Sequence, residues 1–263
     1  MGVINTTPDS FSDGGRFDTT EKAMKYARQL IDDGVDILDI GGESTRPGSA
    51  NIDTSEEMAR TIPLIQAIRE ESEVQISIDT NKPEVMRRAV AAGANLINSI
   101  WALRRDNALE VAAELGVTVC LMHMQGTPET MQQNPRYDNV VSEVMEFLQQ
   151  RIDAATDAGI TRENIIIDPG FGFGKTLGHN LLLLKSLARF KSLGVPLLVG
   201  ISRKSMIGTI IDKPVEQRLC GSISTAVIAA MLGADIVRAH DVAQTIDALA
   251  IVDAVNGVQA HQE

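Results

Sequence analysis

Ile165-Ile166-Ile167-Asp168 is apolar and β-branched for three residues and then charged. A run this short, apolar at every position, reads as a strand buried on both faces, as in a parallel sheet covered by helices. The carboxylate that ends it has no place in an apolar core. Seven further runs repeat the design: Met1-Gly2-Val3-Ile4 ending at Asn5; Ile37-Leu38-Asp39-Ile40 before Glu43-Ser44-Thr45-Arg46; Val74 to Ile78 ending at Asp79; and Leu96-Ile97-Asn98. Then come Val117 to Met122 ending at His123, Pro196-Leu197-Leu198-Val199 before Ser202-Arg203-Lys204, and Ile236-Val237-Arg238-Ala239-His240. Polar groups gathered at the carboxyl ends of eight parallel strands predict an α/β protein, a (β/α)8 TIM barrel, with its active site at the C-terminal ends of the strands.

The intervening segments have helical period, over roughly 20–33, 55–71, 83–92, 106–115, 138–158, 179–191, 214–232 and 242–255. Gly34, Gly93, Gly116, Gly159, Gly194 and Gly233 each fall just past such a segment, where a left-handed helix stop belongs. Strand and helix alternate with short connections, so residues 1–263 read as one domain. The chain begins directly at its first strand, which suggests that a preceding N-terminal piece is missing. Three of the loops that follow strands are long and rich in Gly, Pro, Ser and Asp: residues 6–18, 41–54 and 123–137. Long loops on a barrel's catalytic face form lids or binding surfaces.

A net charge of −11 argues against broad binding to nucleic acid or an anionic membrane. No apolar run reaches membrane-spanning length and no signal peptide is visible, so a cytoplasmic location is expected. The scarcity of aromatics beside abundant branched aliphatics suits the layered interior of a barrel. Cys120 and Cys220 lie in apolar segments and read as two buried free thiols.

The strand ends supply the chemistry. Carboxylates stand at Asp79 and Asp168, amides at Asn5 and Asn98, and cations at Arg46, Lys204 and Arg238. An ionised Asp168 at the mouth of an apolar barrel needs partners, either N–H groups of a flat heterocycle or Lys204. The segment Asp168-Pro-Gly-Phe-Gly-Phe-Gly-Lys175 matches neither the P-loop nor the dinucleotide-binding spacing. Arg46 beside Ser44 and Thr45 suits an anion better than it suits a merely solvated loop. His240 alone would be structural, but beside Arg238 it becomes an anion ligand; His123 reads either way, and His179 and His261 look peripheral. No His/Cys/carboxylate spacing forms a zinc site. A hard cation such as Mg2+, held by Asn5 and substrate oxygens, is compatible because it accepts few protein ligands. The whole suits a polar heterocycle deep in the barrel with an anionic leaving group at the mouth.

These residues resemble the dihydropteroate synthase family along nearly the whole chain. The resemblance is carried by residues 2–15 (Gly-Val-Ile-Asn-Thr-Thr-Pro-Asp-Ser-Phe-Ser-Asp-Gly-Gly) and 39–48 (Asp-Ile-Gly-Gly-Glu-Ser-Thr-Arg-Pro-Gly), with Asp168 to Lys175, Ser202-Arg203-Lys204-Ser205 and Arg238-Ala239-His240-Asp241. It implies a transferase of folate biosynthesis, the sulfonamide target. Such an enzyme joins 6-hydroxymethyl-7,8-dihydropterin diphosphate to 4-aminobenzoate by a dissociative displacement, giving 7,8-dihydropteroate and pyrophosphate. The resemblance further implies that Asp79, Asn98, Met122, Asp168 and Lys204 hold the pterin, and that Asn5, Arg46, Arg238 and His240 hold the diphosphate. Phe11, Thr45, Arg46, Pro47, Phe173, Lys204 and Ser205 then shape the aminobenzoate site, and Asn5 meets Mg2+. Asp79, Asp168, Lys204 and Arg238 are the expected catalytic set, and a homodimer is the expected assembly, its partners small molecules rather than nucleic acid or membrane. The chain departs from the family's usual Asn-Asp after the fourth strand: here Asn98-Ser99 stand before Trp101, and the lost carboxylate predicts weaker pterin or loop binding. A pterin-binding methyltransferase domain and a non-catalytic pterin-binding homologue are the alternatives; the first needs no diphosphate cradle or closing aminobenzoate loops, and Ser99 is the only argument for the second.

Overall fold

The computed structural model describes residues 1–6, 16–43 and 52–258. Each expected apolar run forms a strand: β1 (Gly2–Asn5), β2 (Ile37–Gly41), β3 (Gln75–Asp79), β4 (Leu96–Ser99), β5 (Thr118–Met122), β6 (Ile165–Asp168), β7 (Leu198–Val199) and β8 (Ile236–Val237). β1 to β6 pair in sequence order, all parallel, and β7 pairs with β8. Two parallel bridges join these sheets into a closed ring: Ile167 to Leu197, and Gly2 to Ala239. The ammonium of Met1 adds a 3.0 Å bond to the Val237 carbonyl at the same seam.

The helices are α1 (Arg16–Asp32), α2 (Thr54–Glu71), α3 (Pro83–Ala91), α4 (Ala108–Leu115), α5 (Val140–Asp157), α6 (Leu177–Lys185), α7 (Ser205–Ile211), α8 (Leu219–Met231) and α9 (Val242–Asn256). α2 starts where Asp53 caps the Glu56 amide at 2.7 Å. All six expected glycines have positive φ. At Gly93 (φ +117°) a side chain would also strike Arg69, whose guanidinium bonds the Gly93 carbonyl. Two helical expectations change. The segment over 179–191 breaks at Ser186, into α6 and a 3-10 stretch Leu187–Leu193. α7 is an additional helix, formed within what the sequence offered only as a polar loop after β7.

Because strand side chains alternate, the sheet has two apolar surfaces. Ile4, Leu38, Ile40, Ile76, Ile78, Ile97, Val119, Leu121, Ile165 and Ile167 face outward and pack with the helices in the main core. The alternate set, Leu96, Cys120, Ile166 and Leu198 with Met1 and Ile236, packs inside the barrel. Cys120 is a buried thiol as expected, but Cys220 is exposed. It lies on α8, whose outer face is itself apolar, with Leu219, Ile228 and Met231 exposed, so an apolar neighbourhood did not mean burial. Among the described residues no helix is long and apolar enough to cross a membrane.

Candidate active site

Two residues above the interior apolar layer, the same strands turn polar. Asp79, Asn98, Met122 and Asp168 occupy the ends of β3 to β6, and Asn5 ends β1. The parallel register sets Asn5 beside Gly41, Gly41 beside Asp79, Asp79 beside Asn98 and Met122 beside Asp168. Thr6 fixes the end of β1 by bonding the Gly41 carbonyl through both its amide and its hydroxyl.

Sequence reasoning passed over the residue at the centre of this mouth. Asp39, in the middle of β2, is fully buried, and its Oδ2 accepts from Arg238 Nε at 2.6 Å and from Asn98 Nδ2 at 3.2 Å. Its Oδ1 meets no partner among the described residues. Arg238 reaches on to Asp79 Oδ2 at 3.4 Å. Burial pushes the Asp79 carboxyl up to about 7; Asp39 adds to the shift and Arg238 opposes it. Burial opposes the charge on Arg238, yet Asp39 and Asp79 outweigh it and raise its pKa.

Asp168 is held differently. Its Oδ1 accepts from the Gly170 amide at 2.7 Å. Gly170 has φ +70°, and a Cβ there would lie 1.9 Å from the His123 carbonyl oxygen, so only glycine can turn the chain this tightly. Burial raises the Asp168 pKa, opposed first by Lys204. Lys204 is brought down to about 8 by burial, despite the favourable charge of Asp168. Its ammonium donates to the Phe171 carbonyl and sits 4.9 Å from the Phe173 ring centre. Phe173 and Lys204, two of the expected aminobenzoate residues, therefore meet; Ser205 opens α7 beside Lys204.

His240 lies over Ser202, whose hydroxyl accepts from the His240 amide at 3.2 Å and lies 3.1 Å from Nδ1. The hydroxyl holds the ring through Nδ1, as acceptor or donor according to the tautomer of the imidazole. Burial first, and Arg238 next, lower its pKa to about 4, so the imidazole is neutral near pH 7. Arg203, the neighbour of Lys204, is committed to Asp241 through two bonds.

His123 is structural. It is buried, packs edge-on against Phe147 at 4.8 Å, and its Nδ1 lies 2.9 Å from Lys175 Nζ. Lys175, not singled out from the sequence, also donates to the carbonyls of Gly170 and Phe173, each at 2.9 Å, and so ties the glycine-rich turn from below. His179 pairs with Thr176 in a capping box at the start of α6. A second unforeseen group is Lys82, which bridges Glu43 at 2.9 Å and the buried Glu57 at 2.5 Å. Glu43 also accepts from the Ile52 amide, so the network holds both flanks of the segment carrying Thr45, Arg46 and Pro47. Those three residues, Phe11 and His261 lie outside the described residues.

Ser99 does not face the mouth. Its hydroxyl accepts from the Leu103 amide at 3.2 Å and lies 3.4 Å from Asn81 Oδ1, so it caps the turn after β4. The absent carboxylate is therefore replaced by a turn-capping hydroxyl outside the ring of strand-end polar groups.

Residues 1–240 match the family model described as pterin binding enzyme. The chain is 52% identical over 254 residues to the dihydropteroate synthase of Escherichia coli (strain K12), covering 97% of this chain and 90% of that one. The Yersinia pestis dihydropteroate synthase in a sulfonamide drug complex superposes with a TM-score of 0.94 at 46% identity, covering 98% of this chain and 94% of that one. Dihydropteroate synthase from Xanthomonas albilineans in complex with 7,8-dihydropteroate gives a TM-score of 0.90 at 47% identity, covering 98% and 94% of the two chains.

Proposed function

This chain belongs to the pterin-binding enzyme family, and from that premise we propose how its barrel mouth performs the dihydropteroate synthase reaction. The enzyme is a transferase of folate biosynthesis. It joins 6-hydroxymethyl-7,8-dihydropterin diphosphate to 4-aminobenzoate and releases pyrophosphate. The observation that carries the residue assignments is the set of polar side chains at neighbouring strand ends, Asp79 in register with Asn98 and Asp168 in register with Met122, above the apolar interior layer.

Asp79, Asn98, Met122, Asp168 and Lys204 hold the pterin. Its amino and ring N–H donors suit the two carboxylates, and its flat face suits Met122. Arg238, His240, Asn5 and Arg46 hold the diphosphate. Asp39 fixes Arg238 through Nε alone, so part of the guanidinium stays available to phosphate oxygens. Neutral His240 adds a hydrogen-bonding group rather than a second cation. Phe11, Thr45, Arg46, Pro47, Phe173, Lys204 and Ser205 receive 4-aminobenzoate.

Departure of pyrophosphate leaves a pterin-stabilised methylene cation, which the aminobenzoate nitrogen then captures. Arg238 balances charge on the leaving group while Asp79 and Asp168 favour the electron-poor ring, in a site whose dipoles are already oriented. Asp79 and Lys204, near 7 and near 8, bracket the pH at which the carboxylate and the ammonium are both charged.

Among the described residues no three His, Cys, Asp or Glu side chains group as a metal cage. A hard cation would be held by the Asn5 carboxamide oxygen with diphosphate oxygens, the small protein contribution that Mg2+ tolerates. It would neutralise the departing diphosphate. A homodimer is supported by the apolar outer faces of α8 and α9, where Leu219, Ile228, Met231, Ile251 and Val255 are exposed. We read residues 1–263 as one pterin-binding barrel unit, working in the cytoplasm on small molecules, with no nucleic-acid or membrane partner.

The test is pyrophosphate release from the pterin diphosphate with and without 4-aminobenzoate. Release that depends on aminobenzoate, with dihydropteroate formed in equal amount, is expected. No release, or release indifferent to aminobenzoate, would contradict the reading and favour a binding or methyltransferase role.

A further inference from the structure

Trp101 is the only tryptophan in the chain, and it stands two residues beyond β4, the strand that delivers Asn98 to the mouth. Its side chain packs, together with Phe173, against the buried cluster of Ile100, Met122, Met124 and Met131. Met122 pairs in register with Asp168. The cluster is therefore the apolar wall beside the polar line at the strand ends, and Trp101 is its largest member.

The turn that presents this indole is held against its own preference. Ala102 and Leu103 both adopt left-handed backbone, at φ +50° and +56°, although neither is glycine and both are buried. Such conformations persist where the surroundings over-determine them, and they gather at ligand sites. Here Ser99 accepts from the Ala102 amide through its carbonyl at 3.0 Å and from the Leu103 amide through its hydroxyl. Arg151 Nε donates to the Ala102 carbonyl at 2.9 Å. The ring itself is fixed by two guanidiniums: Arg105 lies 4.8 Å and Arg104 5.8 Å from its centre. Arg104 also bonds the Trp101 carbonyl and rests 5.0 Å from the Phe147 ring centre.

A fixed, partly exposed indole packed on the cluster that contains Met122 offers a flat, electron-rich apolar surface. That surface matches a bicyclic heteroaromatic ring and offers nothing to a phosphate beyond its single N–H. We propose that Trp101 is a specificity-determining residue of this enzyme, its indole closing the apolar side of the pterin pocket. The inference rests on the assignment of Met122 and Asp168 to the pterin.

Two measurements test it. In steady-state kinetics, Trp101→Ala should raise KM for the pterin diphosphate about tenfold, a loss of about 1.4 kcal/mol, while KM for 4-aminobenzoate stays within about twofold. Trp101→Phe, which keeps a flat ring, should recover most of that loss. Because no other tryptophan emits, acrylamide quenching of the unmodified enzyme reads Trp101 alone. Saturating 6-hydroxymethylpterin, an unreactive probe, should lower the quenching slope at least twofold, and pyrophosphate alone should leave it unchanged. An unaltered pterin KM in Trp101→Ala, a rise confined to aminobenzoate, or no protection by the pterin would overturn the proposal. If Trp101→Ala fails to fold, Trp101→Phe and the quenching of the unmodified enzyme decide it. Absence of turnover in the unmodified enzyme would defeat the functional reading itself; full turnover with an indifferent Trp101→Ala defeats only this inference.

Discussion

Leu96, Cys120 and Ile166 sit two residues before Asn98, Met122 and Asp168 on the same three strands, facing the same interior. The lower layer is apolar and self-sufficient. The upper layer contains Asp39, which is fully buried and leaves one carboxylate oxygen without a partner among the described residues. A buried polar group left unpaired costs stability, so the mouth keeps its charges at some expense to the fold, and a polar ligand would offset part of it. On the proposed reading the lower layer contributes to stability and the upper one to binding, within about 7 Å along each strand.

The sharpest way to break this comparison is to substitute one residue in each layer of one strand. Asp168→Asn should weaken pterin binding about 10- to 100-fold, since a charged hydrogen-bonding partner is worth about 1.5–3 kcal/mol, and leave thermal stability nearly unchanged. Ile166→Ala should do the reverse. Truncating a buried isoleucine costs about 2–5 kcal/mol of stability, seen as a lowered denaturant midpoint, with pterin affinity retained by whatever fraction remains folded.

A third test concerns Asp39. The Asp79 carboxyl has its pKa raised to about 7, so its ionised form, and with it kcat/KM for the pterin substrate, should fall as pH drops through that value. Asp39, Glu57 and Asp168 hold its proton on, and Arg238 draws it off. Asp39→Asn removes one of the repelling charges and releases Arg238, so the acid limb should move to lower pH. The stability sign agrees: a carboxyl whose folded pKa is raised costs stability as pH climbs from its unfolded value toward the folded one. Asp39→Asn should lessen that loss. An acid limb that does not move would assign Asp39 to packing alone.

How far the sequence reaches is clear from these residues. Asp79 and Asp168 were legible because a charge terminating a short apolar run contradicts burial unless the run ends at a site. All eight strands were legible as short apolar runs that give way to polar residues. Asp39 was not, because it lies inside its run rather than at its end, and its partners Asn98 and Arg238 are 59 and 199 positions away. Lys175 was hidden behind three glycines that drew attention to phosphate loops; its bonds to carbonyls exist only once Gly170 has turned. α7 was missed because Ser202-Arg203-Lys204-Ser205 offers polar chemistry at its start and masks the helix that follows.

The smallest effect is expected at Ser99. Asp can accept from the Leu103 amide as the serine hydroxyl does, but it cannot donate to Asn81. Ser99→Asp should change kcat/KM for the pterin substrate by less than about twofold and stability by less than about 1 kcal/mol. A large gain in kcat/KM would mean that position 99 acts on the pterin and that the turn after β4 is more than a support.

The two-layer account is tested most directly by calorimetry with 6-hydroxymethylpterin on three proteins side by side: the unmodified enzyme, Asp168→Asn and Ile166→Ala, each at a temperature where circular dichroism shows it folded. The account predicts that heat of binding is lost, or affinity reduced at least about tenfold, in Asp168→Asn alone. Equal pterin affinity in all three, or a loss in Ile166→Ala that matches that in Asp168→Asn, would contradict it.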